Sequence, residues 1–347
     1  MPVSPPLVLG PVCAQPPCPP GTLLLLTSTV FATPRRWLAR LCGDNMNRCL
    51  KLAAAFAAVY LIWGSTYLAI RVAIETMPPF AMAGLRFVIA GALLYGWQRW
   101  RGAAAPLRVH WRSAAIIGAL LLLGGNGGVT WAEQEVPSGL AALIIATVPI
   151  WVVVFGALRP DTPRPNRRTL VGILLGLVGI ALLVGPTNLA VNQQIRTISY
   201  VVLLLAPVSW AIGSLYSRGA SLPASQLQAT GMEMLTGGGL LLLAATVTGE
   251  WARFDVAAIS LRSGVAFLYL IFIGAILGFT AYIWLLTNTT PAKATTYAYV
   301  NPVVAVFLGW AILSEPLTPA MLAAMVIIIF SVALISGVTF HRRPAAP

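Results

Sequence analysis

Apolar runs of about 20 residues recur along nearly the whole chain, and each is long enough to cross a hydrocarbon core of ~30 Å as a helix. They fall at roughly 52–70, 80–98, 113–132, 138–158, 169–186, 199–217, 226–248, 264–286, 291–313 and 318–340. In lipid, every backbone N–H and C=O must find a partner within the segment, which leaves helices or a closed barrel. A barrel needs short strands of alternating polarity, and the chain shows none. Hydrophobic residues make up 58% and charged residues only 9%, far from the balance of soluble domains, and mean hydropathy is +0.84. The expected fold is all-α and integral to the membrane, with ten transmembrane helices.

Charge placement orients these spans. Arg48 and Lys51 precede the first, and Arg99, Arg101, Arg108 and Arg112 follow the second. Arg159, Arg164, Arg167 and Arg168 follow the fourth, Arg218 the sixth, Lys293 the eighth, and Arg342 with Arg343 the tenth. The opposite connections hold only Arg71, Arg196, Arg253 and Arg262. Basic loops stay in the cytoplasm, so both termini are expected there. The net charge of +13 follows from the same bias and calls for no nucleic-acid partner.

Residues 1–45 differ in character. They are rich in proline, carry Cys13, Cys18 and Cys42, and offer one apolar piece, Leu23–Phe31, too short to span. Met46 to Lys51 reads as a basic lead-in to the first span. The expectation for 1–45 is a disordered extension or a start codon placed too early, with translation beginning at Met46. Cysteine spacing offers neither a disulfide framework nor a metal site, and no cofactor is expected. The remaining chain divides into 46–186, 199–340 and a cytoplasmic tail, 341–347.

The two long segments carry matching landmarks. Trp63-Gly64-Ser65-Thr66-Tyr67 answers Trp210 through Tyr216, and Val136 to Pro149 answers Thr290 to Pro302. Gly84, Arg86 and Gly91 answer Gly231, Glu233 and Gly238. Five spans per half make the second copy enter the membrane from the other side, so the halves are expected to be inverted repeats. At 1.5 Å per residue, Trp63 and Trp210 each lie about 17 Å from a span end, and Pro149 and Pro302 about 15–18 Å. All four come out near the bilayer centre. Proline kinks free backbone oxygens, which are tolerated only against protein or a wet cavity. Spans one, four, six and nine are therefore expected to converge on a central cavity.

Candidate solute-binding residues follow from depth and face. Tyr60, Trp63 and Tyr67 share one face of span one at spacings of three and four, with Ser65 alongside. Trp210 and Ser214 are their counterparts on span six. Asn126, Thr130 and Glu133 share a face of span three, and Tyr282, Tyr297 and Asn301 lie in spans eight and nine. Helix packing competes for the small residues, because Gly and Ser let transmembrane backbones approach closely. Gly172 with Gly176, and Gly274 with Gly278, read as such seams. Arg86 and Glu233 are charges well inside spans, each costing roughly 2.5–3.5 kcal/mol near the centre. Inversion places them roughly 10 Å apart along the normal, so they are not expected to pair. Arg86 is expected to snorkel outward as an anchor. Glu233, and after it Glu133, are the candidates for carrying a coupling proton.

The combination of motifs resembles a known family. Trp63-Gly64-Ser65, Gly125-Asn126-Gly127, Ala132-Glu133 to Ala142, Ala146 to Pro149, Tyr297 to Val303, Gly309 and Glu315-Pro316-Leu317 together are similar to the EamA-type exporters of the drug/metabolite transporter superfamily. The resemblance covers about Met46 to the last span. It implies two inverted five-helix repeats around a central substrate cavity, and export of metabolites or toxic solutes from bacteria.

The function expected is thus a multi-pass secondary transporter of a bacterial inner membrane. It would export small metabolites, amino acids or drug-like amphiphilic solutes by alternating access, with proton coupling as a hypothesis attached to it. A passive channel is the nearer alternative, but no filter motif or ring of charge is visible. An intramembrane enzyme would need a nucleophile–base pair or clustered metal ligands, and the spans hold neither. Cargo, coupling ion and oligomeric state are left open by the sequence.

Overall fold

The computed structural model describes residues 34–136, 141, 144–159, 165–184, 197–313 and 318–336. Residues 1–48 and 49–347 form separate compact units, and the helical bundle belongs to the second. Residues 1–33, the run from Pro137 to Leu140, the Glu315-Pro316-Leu317 motif and the 341–347 tail lie outside the described residues.

Among the described residues all regular structure is helical. The helices are α1 (Pro34–Ala73), α2 (Pro79–Trp100), α3 (Arg108–Ala132), α4 (Val148–Ala157) and α5 (Arg167–Val184). They continue as α6 (Thr197–Ser217), α7 (Gln226–Val247), α8 (Leu261–Asn288), α9 (Tyr297–Leu313) and α10 (Pro319–Ser336). Six are long and apolar enough to cross a membrane: Leu50–Ala73 within α1, then α2, α3, α6, α7 and α8. Large apolar side chains such as Leu61, Leu93, Leu174, Leu243, Phe272 and Ile329 face outward, where only lipid would welcome them.

Glycines set how the helices meet. A Cβ built on Gly91 would lie 2.8 Å from the Gly231 carbonyl oxygen, and one on Gly238 would lie 3.0 Å from that of Gly84. Moving up α2 from Gly84 to Gly91 therefore means moving down α7 from Gly238 to Gly231, so the two helices are antiparallel. Gly231 and Gly238 follow Gly84 and Gly91 at the same chain separation as Trp210 follows Trp63. Each glycine thus meets the counterpart of the other one, the reciprocity of a two-fold contact. Helices α5 and α10 repeat the arrangement, with Gly172 against Ile335 and Gly179 against Ile328.

Two stretches depart from α geometry. Gly118–Gly127 within α3 and Leu270–Phe279 within α8 are π-helical, ten residues each. Such runs are rare and gather at functional sites. Here their carbonyls serve other helices: Ser209 Oγ donates to the Leu120 oxygen at 2.8 Å, and Trp63 Nε1 to the Gly274 oxygen at 3.2 Å.

Proline placement differs in part from expectation. Pro302 lies inside α9. Pro149 instead occupies the first turn of α4, where a missing N–H costs nothing. The break in that span is the turn at Ala146–Thr147 just before it. Pro207, not singled out from the sequence, lies inside α6.

One contact ties distant parts of the chain together. Glu250, 2% exposed, accepts hydrogen bonds from the Phe80 and Ala81 amides at 3.3 and 2.8 Å. It satisfies orphan donors at the start of α2 and meets the positive end of that helix.

Candidate functional site

Four aromatic rings from four helices meet in one cluster. Trp63 on α1 packs against Trp210 on α6 with ring centroids 5.6 Å apart and edge to face. It also packs against Tyr282 on α8 at 5.0 Å and Tyr297 on α9 at 4.8 Å. The remaining pairs close the cluster at 5.4–6.5 Å, within the range of attractive aromatic geometry. Trp210 donates its indole N–H to Tyr282 Oη at 2.9 Å, and that hydroxyl shares a 2.6 Å hydrogen bond with Ser214. Nearby, Tyr60 and Thr296 hydroxyls are joined at 2.6 Å. The two π segments press on the tryptophans reciprocally. A Cβ on Gly125 of α3 would come within 2.5 Å of the Trp210 ring, and one on Gly278 of α8 within 2.6 Å of Trp63 Nε1.

This cluster floors a cavity of about 100 Å³ that extends along α1 from Trp63 through Thr66 and Tyr67 to Ile70. The volume holds several waters and is below that of sites for drug-sized ligands, so the cavity in this conformation suits a small solute. Its walls are drawn from α1 to α4 on one side and α6, α8 and α9 on the other.

One wall is polar. Arg86 reaches from α2 across to α3, where it donates to Asn126 Oδ1 at 2.6 Å, and its guanidinium lies 4.5 Å over the Phe87 ring. Thr130 Oγ1 donates to the Asn126 carbonyl at 2.9 Å. Glu133, at the end of α3, is an electrostatic neighbour of Arg71, Arg86 and Tyr67. Asn301, on α9, also lines the cavity, with Tyr67 as a neighbour. Three side-chain atoms in this buried setting lack a protein hydrogen-bond partner: Arg86 Nε, Glu133 Oε1 and Asn301 Oδ1.

Of the residues chosen from sequence, Trp63, Tyr67, Asn126, Thr130, Trp210, Tyr297 and Asn301 line the cavity. Three stand outside the lining. Ser65 donates to the Ile62 carbonyl at 2.7 Å and meets Tyr269 Oη at 2.6 Å. Ser214 donates to the Trp210 carbonyl at 2.7 Å, and Tyr282 stands fully buried behind Trp210. The outward snorkel expected of Arg86 does not occur: the side chain is 3% exposed and turned into the cavity, because Asn126 and Glu133 offer it partners inside. Glu233 lies on α7 away from the cavity, fully buried, with neither carboxyl oxygen hydrogen-bonded. Arg86 and Glu233 are not paired. The cavity residues missed from sequence include Thr66, Pro207 and Phe279. Pro207 in mid-run is a visible signal, and Thr66 falls three residues after Trp63 on the same helical face, whereas Phe279 has none. Among the described residues no three His, Cys, Asp or Glu side chains gather as metal ligands would.

Comparison with known proteins bears on this arrangement directly. The model of the EamA-like transporter family matches twice, over residues 50–185 and 197–337. The chain belongs to the EamA-like transporter family. This EamA protein is 42% identical over 293 residues to the uncharacterized inner membrane transporter YedA of Escherichia coli K12, covering 84% of this chain and 92% of that one. It is 24% identical over 284 residues to a "probable amino-acid metabolite efflux pump" of Salmonella typhimurium, covering 78% and 89%. A solved crystal structure superposes on the EamA chain with a TM-score of 0.67 at 20% identity, covering 84% of this chain and 99% of its own. That likeness shows the shared fold. The two family matches divide the chain between α5 and α6, so the cavity lies between two copies of one family unit, and the protein is a membrane transporter.

Proposed function

We propose that the protein exports small metabolites, amino acids or amphiphilic solutes from a bacterial inner membrane by alternating access. In this reading, two inverted five-helix repeats make ten spans with both termini in the cytoplasm. The observation that carries it is the cavity whose walls come from both repeats and whose floor is the ring cluster of Trp63, Trp210, Tyr282 and Tyr297. Rocking of one repeat against the other would part those rings and expose the cavity to the opposite side. The reciprocal glycine contacts of α2 and α7 support inversion. The name of the Escherichia coli relative supports the location, that of the Salmonella relative the cargo class, and the distribution of Arg and Lys the orientation. Seven residues chosen as solute contacts are within reach of a bound solute, Ser214 and Tyr282 hold the floor from behind, and Ser65 is bonded to Tyr269 instead. Glu233, with Glu133 second, is the proposed carrier of a coupling proton.

The aromatic floor favours a carrier over a passive channel, since rings from both repeats are in contact there, with centroids 4.8–6.5 Å apart, and close the cavity on that side. The test is counterflow in liposomes loaded with unlabelled amino acids. A carrier accelerates uptake of labelled solute from outside, with saturation. Downhill flux without saturation or acceleration would count for a channel.

A further inference from the structure

We propose that Arg86 and Asn301 are the two poles of a subsite for a small organic anion, a monocarboxylate that also bears a hydrogen-bond donor. The assignment rests on the transport reading and narrows it, because the same site turns lipophilic cations away.

The first pole is a donor that the protein leaves unsatisfied. Arg86 is 3% exposed and stands on the cavity wall. One guanidinium nitrogen is committed to Asn126, while Nε has no acceptor. A buried guanidinium with an idle N–H is costly unless something anionic completes its fork, and a carboxylate matches that fork in two-point geometry. Glu133 does not fill this role. It acts on Arg86 electrostatically, as it does on Arg71, and its own Oε1 has no partner. Arg86 is the one charged side chain among the described residues that line the cavity, so an arriving anion is attracted and a cation repelled.

The second pole is an acceptor. Asn301 is 2% exposed and lines the same cavity. Tyr67 engages its side chain, yet Oδ1 receives no donor. A hydroxyl, amide or ammonium group on the solute satisfies it. Between the poles the surface is apolar and aromatic, with Trp63, Phe87, Val148 and Tyr297. The solute is therefore compact, with an apolar or aromatic body, an acid group at one end and a donor at the other.

The test uses the full-length protein in lipid nanodiscs and three probes of matched shape: mandelate, mandelamide and 2-amino-1-phenylethanol. Binding is read by calorimetric titration. Mandelate is expected to bind at least about tenfold more tightly than the amine. Arg86→Gln should erase that preference and Arg86→Lys should keep part of it, since a lysine retains charge without the fork. Equal or tighter binding of the amine overturns the proposal, as does a preference for mandelate unchanged in Arg86→Gln. The comparison of probes on the unaltered protein needs no variant, so a poorly folding Arg86→Gln protein does not block it. Failure of all three to bind, in protein that performs counterflow with other solutes, overturns the subsite and leaves the carrier reading standing. Absence of counterflow for every solute overturns the carrier reading, and the subsite with it.

Discussion

Tyr282 accepts the Trp210 indole N–H and is hydrogen-bonded to Ser214, so it fixes the ring floor without lining the space above it. Replacing it by Phe leaves a buried indole donor with no acceptor, at a cost of about 1–3 kcal/mol. Tyr282→Phe should melt several degrees lower in detergent and show weaker half-saturation in counterflow, and a variant unchanged in both would remove Tyr282 from this role. At this scale much of the site is legible in the sequence. A tryptophan or asparagine at mid-depth in lipid has few reasons to be there, and Trp63, Trp210, Asn126 and Asn301 all reach the cavity. The serines are harder to read. Ser65 and Ser214 bond to carbonyls three and four residues back in their own helices, which satisfies a hydroxyl wherever it points. Arg86 misleads because depth alone suggests the outer surface, while its partner Asn126 lies on another helix at no regular spacing.

At the scale of the element, the antiparallel seam between α2 and α7 depends on missing side chains. A Cβ on Gly91 meets the backbone of Gly231 and Leu235 at 2.8 Å, and backbone cannot step aside as a side chain does. Gly91→Val should destabilise the protein by about 1–3 kcal/mol, whereas Gly239→Ala, with nothing within 4 Å, should be neutral or slightly stabilising. Thermal melts of the two variants side by side check this, and equal melting points would show that the seam tolerates separation. The long apolar runs make the helices themselves readable, since lipid leaves the backbone little choice. The π segments are not. Gly124, Gly125, Gly127 and Gly128 suggest close packing or local unwinding, but a shift of hydrogen-bond register depends on what Ser209 and Trp210 press against it, and those lie in the other repeat.

For the whole molecule, the proposed alternating access predicts that Tyr60 and Thr296, bonded at 2.6 Å here, separate as one repeat rocks against the other. With the native cysteines replaced, a Tyr60→Cys/Thr296→Cys protein bridged by a reducible bis-methanethiosulfonate cross-linker, which makes up for the lost length of the tyrosine, should lose counterflow and regain it on reduction. Full exchange in the cross-linked protein would argue against movement at this point. Proton coupling is tested at the same scale. Flux driven by an imposed pH gradient should vanish in Glu233→Gln while exchange at equal pH persists, and an unaltered response to the gradient would eliminate Glu233. Repetition in the sequence points to a two-part molecule because landmarks recur in order. Which helices touch is beyond it, since reciprocal contacts such as Gly84 with Gly238 appear only in three dimensions. Glu250 carries a consequence for biogenesis. The opening amides of α2 wait for a carboxylate that leaves the ribosome 169 to 170 residues later. The leading half therefore gains the protein partner for these amides only after the trailing half has begun to be made.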